Sequence, residues 1–204
     1  MSLSCLCPSP TAIGNIPAQP CPENILQIQK FALQRSGDKF DGTAGNDVTL
    51  LADWQTRTSA TGDTHIVVTP FVYEAVITPG EAITNGGGDN STLNGESELV
   101  GINASAFAGL FKSMNKEVIQ ALFNLRCEKD LVVYLFNEDG KIILWEKSTG
   151  VFEGIPISSF FVGDQGNEGF ATKDSSVVSF NIKKDWSKYK AISVPADFDP
   201  LTDL

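Results

Sequence analysis

Phe107, Leu110, Phe111, Met114, Val118, Leu122 and Leu125 recur at steps of three and four. With 3.6 residues to a turn, that spacing collects them on one face, and it predicts a long amphipathic helix over about 104–126. Ser105 or Asn103 stands where a side-chain oxygen would cap the first turn. A stripe of Met and Phe in this setting is core packing against a sheet rather than a cofactor box.

Most of the remaining chain has the period of a strand. "ILQIQKFALQR" (25–35) alternates well enough for one, although its glutamines and Ala32 leave a helix open. Thr64–Val68 and Phe71–Ile77 are β-branched runs separated by Pro70, an edge or bend signal. "LVVYLFNEDGKIILWEK" (131–147) holds two apolar runs around Glu138-Asp139-Gly140, which reads as a hairpin because glycine accepts the positive φ of a tight turn. "GIPISSFFVG" (154–163) and "SSVVSFNIKK" (175–184) supply further strands, and "VTLLADWQTRT" (48–58) reads as a short helix capped by Asp47. The sum is a β-rich α+β fold.

Two stretches depart from both periods. Residues 1–22 carry five of the ten prolines, so an extended N-terminal arm over 1–21 precedes a single domain over 22–204. The second is the polar "ITNGGGDNSTLNGESELVG" (83–101), within a long loop expected over 80–98. A loop of that length in a compact domain is functional or disordered. Rich in Gly, Asn and Ser, it cannot order itself by burial, but it can order against a neighbour.

Length and composition change the picture modestly: 204 residues with 42% hydrophobic content suffice for one full core. The charge says more. The net −10 is concentrated between residues 41 and 100, where nine acids face Arg57 alone, which argues against a phosphate-binding surface there. No apolar run reaches the length of a membrane-spanning helix, and "MSLSCLCPSPTAIGNIPAQPCP" lacks the basic start and apolar core of a signal peptide, so the expectation is no membrane and a cytoplasmic site of assembly.

Cys5, Cys7, Cys21 and Cys127 do not have the paired spacing of a zinc site, and Cys127 is expected as a small buried hydrophobe. Asp89, Asn90, Asn94, Glu96 and Glu98 offer oxygens for calcium, but Leu93 occupies a ligand position and the sixth place lacks glycine. Ser36-Gly-Asp-Lys39 and Ser113-Met-Asn-Lys116 match a Ser/Lys pattern without its companion motifs. His65, the single histidine, sits on a β-branched run where a structural role is commoner than a triad. There is no nucleophile elbow, phosphate loop or dinucleotide fingerprint, so no catalytic residue, metal or cofactor is expected.

The phrases "IVVTPFV", "GGGDNSTLNG", "LVVYLFNEDGKI" and "GIPISSFFVGDQG", with the order of arm, strands, long loop, helix and acidic tail, resemble bacteriophage virion structural proteins, and the element order is similar to tail tube proteins. The resemblance implies a β-sandwich or half-open barrel that assembles as a homo-oligomeric ring, a hexamer being one symmetry open to it, stacking with other virion proteins around a DNA-conducting lumen. It implies a virion location and no enzymatic activity. On that reading the loop residues Gly86, Gly87, Gly88, Asp89, Asn90 and Asn94 meet a neighbouring subunit. Asp47, Asp63, Glu74 and Glu96 are then candidate lumen acids, since a negative wall keeps DNA from sticking. A connector ring or capsid-decorating protein would use the same parts, ahead of a carbohydrate-binding module or a hydrolase.

Overall fold

In the computed structural model, which describes residues 16, 17 and 23–204 apart from 89, 90 and 168, the chain folds as a β-sandwich. The first half runs β1 (Ile28–Arg35), α1 (Leu51–Thr58), β2 (Ile66–Val68), β3 (Val72–Thr78), β4 (Ala82–Asn85), β5 (Glu98–Ile102) and β6 (Ser105–Lys112). Then come α2 (Lys116–Asn124), β7 (Leu131–Asn137), β8 (Ile142–Ser148), β9 (Val151–Glu153), β10 (Ile155–Val162), β11 (Ser175–Ile182) and β12 (Lys190–Ser193).

One sheet has the order β2-β1-β7-β8-β12, with β9 also on β8, and the other the order β3-β6-β11-β10, all antiparallel. β10 joins them. Its Ile155 and Pro156 pair with Val133 and Val132 of β7, and from Ile157 onward it pairs with β11 across a bulge between Ser158 and Phe161. Bulges of this kind let a strand bend from one sheet into another.

The continuous apolar run of β7 now has its reason. Leu131, Val133 and Leu135 face the space between the sheets, where they join Phe31, Phe107, Phe111 and Phe180 in the main core. Val132, Tyr134 and Phe136 face the opposite way, into a second core with Phe40, Val48 and Trp54. A strand covered on both faces has no polar alternation to show. The outer cover is α1 together with the acidic tail: Trp54 lies 5.1 Å from Tyr134 in an edge contact, and Phe198 of the tail lies 6.5 Å from Trp54.

Several expectations need correction. The predicted helix over 104–126 is two elements: β6 (Ser105–Lys112) and then α2 (Lys116–Asn124), prolonged by a 3-10 turn over Leu125–Cys127. In β6, Ser105, Phe107, Gly109 and Phe111 point inward and Leu110 outward, so Phe107 and Phe111 mimic the spacing of a helix turn while obeying the alternation of a strand. The helix cap is Asn115, whose Oδ1 accepts from Val118 N at 2.9 Å, not Ser105 or Asn103. Asp47 does not cap α1. It accepts instead from Thr49 N at 2.8 Å, and Leu51 N donates to Asp197 Oδ1 of the tail at 3.0 Å. Cys127 is exposed rather than buried. Of the expected arm over 1–21 only Ile16 and Pro17 are described, both exposed, and Cys5, Cys7 and Cys21 lie outside the described residues.

Candidate assembly surface

Within the stretch expected as a long loop over 80–98, Ala82–Asn85 form β4 and Glu98 opens β5, a two-stranded hairpin growing out of the β3–β6 pair, while the described residues of 86–97 between them contain no strand. β4 pairs β5 with Ala82 opposite Ile102, Ile83 opposite Gly101, Thr84 opposite Leu99 and Asn85 opposite Glu98, with a bulge after Ile83. Its root is tight. Gly80 N donates to Ser105 Oγ at 3.3 Å, Asn103 N donates to Glu81 O at 2.8 Å, and a Cβ on Gly80 would stand 1.9 Å from the Asn103 carbonyl oxygen. Only glycine allows that approach.

At the tip, Gly86, Gly87 and Gly88 all have positive φ, Asn94 takes a left-handed φ of 60°, and Gly88 N donates to Gly95 O at 3.0 Å. Thr92 Oγ1 donates to the Glu96 carbonyl, so the tip is a built turn. Asp89 and Asn90 lie outside the described residues.

Composition of the hairpin explains its interest better than its conformation. Ile83, Leu99, Val100 and Ile102 are 44%, 52%, 47% and 41% exposed. A lone two-stranded ribbon is marginal in water, and this one exposes apolar side chains instead of packing them on its own domain. The surface continues onto the outer face of the second sheet, where the register aligns Tyr73, Leu110 and Val177 in one row and Val76, Ala108, Ser179 and Phe161 in the next. These rows carry no charge. Sequence reasoning missed this face because it had placed Leu110 on a helix.

The four candidate lumen acids occupy four separate places. Asp47 is half-buried beneath the first sheet and spends its carboxylate on Thr49. Asp63 lies beside Arg35 at 3.4 Å, and Glu74, at the β3 bulge with a φ of 55°, pairs with Lys112 at 2.9 Å. Glu96 is exposed near the hairpin tip. One subunit therefore does not gather them into a wall.

A groove of about 310 Å³ beside His65 is lined by Arg35, Asp63 and Glu128 among others. Its carboxylates are held by Arg35, which reaches Glu128 at 2.6 Å, and hydrogen bonding to Glu128 holds the guanidinium above its ordinary range. Among the described residues, no group of three or more His, Cys, Asp or Glu side chains is placed to hold a metal ion, and no helix is long and apolar enough to cross a membrane.

No family model matches the chain, and neither does any curated protein. Among solved structures, the chain is similar at 13% identity and a TM-score of 0.36 to a chain in the tail of an empty gene transfer agent particle refined helically with C6 symmetry, over 67% of this chain and 89% of the other. It is similar at 10% identity and the same TM-score of 0.36 to a chain in the virion of a native gene transfer agent particle, over 63% of this chain and 89% of that one. A likeness of this size carries no argument about function.

Proposed function

We propose that this chain is a self-assembling structural subunit of a bacteriophage-type virion, and specifically a tail tube protomer that forms rings. The observation that carries the reading is the β4–β5 hairpin, which projects four large apolar side chains from a domain whose own core is already closed. Burial against a second copy gives those side chains the cover the domain does not provide, at roughly 25 cal/mol per Å² of apolar area. The neutral outer rows of the second sheet, with Tyr73, Val76, Phe161 and Val177 exposed, offer a broad companion surface of the kind that marks an interaction site. Asp63 and Glu74, with side chains 86% and 66% exposed, are the acids retained for a wall facing DNA, to be brought together only by the assembly.

Sedimentation velocity and negative-stain imaging of the purified chain test this. Rings or tubes are expected for the native sequence. The paired substitution Ile83→Ser and Leu99→Ser is expected to hold the chain as a folded monomer, with stability changed by no more than about 0.5 kcal/mol, because neither residue contributes to a core. A native chain that stays monomeric at every concentration tested refutes the assembly reading, and closed rings that never stack favour a connector over a tube.

A further inference from the structure

A lysine-lined groove of about 730 Å³ lies between the β8–β9 hairpin and the turn that follows β11. Lys147, Lys183, Lys184 and Lys188 line it, against Glu153 and Asp185. Glu153 is already engaged by Lys147 at 3.2 Å. Among the described residues, Lys183, Lys184 and Lys188 are exposed and none has a carboxylate within ion-pair distance. The floor is rigid: Trp145 and Tyr189 stack at 4.7 Å and 18°, with Lys183 Nζ 5.3 Å from the Trp145 ring centre and Lys188 Nζ 5.3 Å from that of Tyr189.

We infer that this lysine groove receives the acidic β4–β5 hairpin of a second copy, making the contact between neighbours within one ring. The inference rests on the self-assembly proposed above and adds its receptor site. Charge identifies the occupant: from residue 58 to residue 111 the chain has no Lys or Arg, and the hairpin carries Glu81, Glu96 and Glu98 on exposed positions. Residues 1–22 contain no charged side chain for the lysines to attract. A nucleic acid fits less well. Trp145 is only 7% exposed beneath Tyr189, which leaves Tyr189, 37% exposed, as the one ring of the groove a base could reach, and the net charge of −10 repels phosphate.

Register decides which contact this is. Ser105 at the root of the hairpin is the partner of Ile182, the last residue of β11, and its Oγ lies 3.3 Å from Gly80 N and 3.2 Å from Trp186 Nε1. Hairpin root and lysine groove therefore lie at the same end of the second sheet. Glu81 stands at that root and Glu98, opposite Asn85, at the far end of the ribbon, and a head-to-tail contact of this kind closes as a ring where its rotation allows.

Charge exchange tests the pairing. One variant carries Glu96→Lys and Glu98→Lys, a second carries Lys183→Glu and Lys184→Glu, and a third carries all four; the altered residues are exposed, and circular dichroism checks that each folds. Each of the first two alone should need about tenfold higher concentration or more to assemble, as expected for coupled charge pairs. The third, and an equimolar mixture of the first two, should regain assembly, the mixture as alternating rings visible by native mass spectrometry. Native assembly that is indifferent to the lysine exchange overturns the groove and leaves self-assembly standing, while a native chain that never assembles refutes both. Retention of a single-stranded oligonucleotide that is lost with Lys183→Glu and Lys184→Glu would assign the groove to nucleic acid instead.

Discussion

Tyr134 points from β7 into the second core, where its hydroxyl donates to Gln34 Oε1 at 2.9 Å. Gln34 Nε2 in turn donates to Thr64 O at 2.9 Å and to Asp38 Oδ2 at 3.0 Å, and Asp38 also receives Arg57 Nε at 2.7 Å with the guanidinium 3.8 Å above Phe40. Tyr134, Gln34, Asp38 and Arg57 are thus linked in series, and removing one hydroxyl orphans the next acceptor. Tyr134→Phe should therefore cost about 1–3 kcal/mol in chemical denaturation. Burial also pushes the phenol well above its ordinary value. The unfolded chain then loses this proton first as pH rises past about 10, so stability falls along that alkaline limb, and Tyr134→Phe should flatten it.

At the scale of elements, α2 and β6 divide what the apolar spacing had joined. Leu122 is buried in the main core, and Leu122→Ala should cost about 2–5 kcal/mol in thermal or urea unfolding. Leu110 sits half-exposed on the outer row of the second sheet, so Leu110→Ala should change stability by less than about 1 kcal/mol while weakening assembly seen by sedimentation. Asn115→Ala removes the cap of α2 and should cost about 1 kcal/mol. The strands over 131–147, 154–163 and 175–184 were readable because alternation or continuous burial leaves a local mark. β9 and β12 were not: they are three and four residues long, and pairing with β8 alone makes them strands.

For the whole molecule, the question is how separated acids serve one assembly. Asp63 and Glu74 each lie in an exposed ion pair, a kind of contact worth little to a fold, so Asp63→Asn with Glu74→Gln should leave monomer stability and particle yield intact. If those carboxylates face the passing polymer, particles carrying the variant should release DNA more slowly, measured as ejection rate at constant yield. Unchanged ejection would return both acids to solubility or subunit contact. The hairpin residues Gly86, Gly87, Gly88 and Asn94 are expected to gain amide protection on assembly, which hydrogen exchange on rings and on the Ile83→Ser, Leu99→Ser monomer would show.

The class of fold, the β7–β8 hairpin, the helix near Val118 and Leu122 and the singular character of residues 83–101 are legible along the chain, because period, turn residues and composition are local properties. That Ser105–Lys112 is a strand follows from long-range pairing instead. Phe107 and Phe111 suit either period, and it is pairing with β3 and β11 on both edges that selects the extended form. It alone placed Lys183 and Lys184 beside the root of the acidic hairpin. Residues about eighty positions apart meet there because Ser105 is in register with Ile182, a relation set by strand pairing and absent from any local pattern.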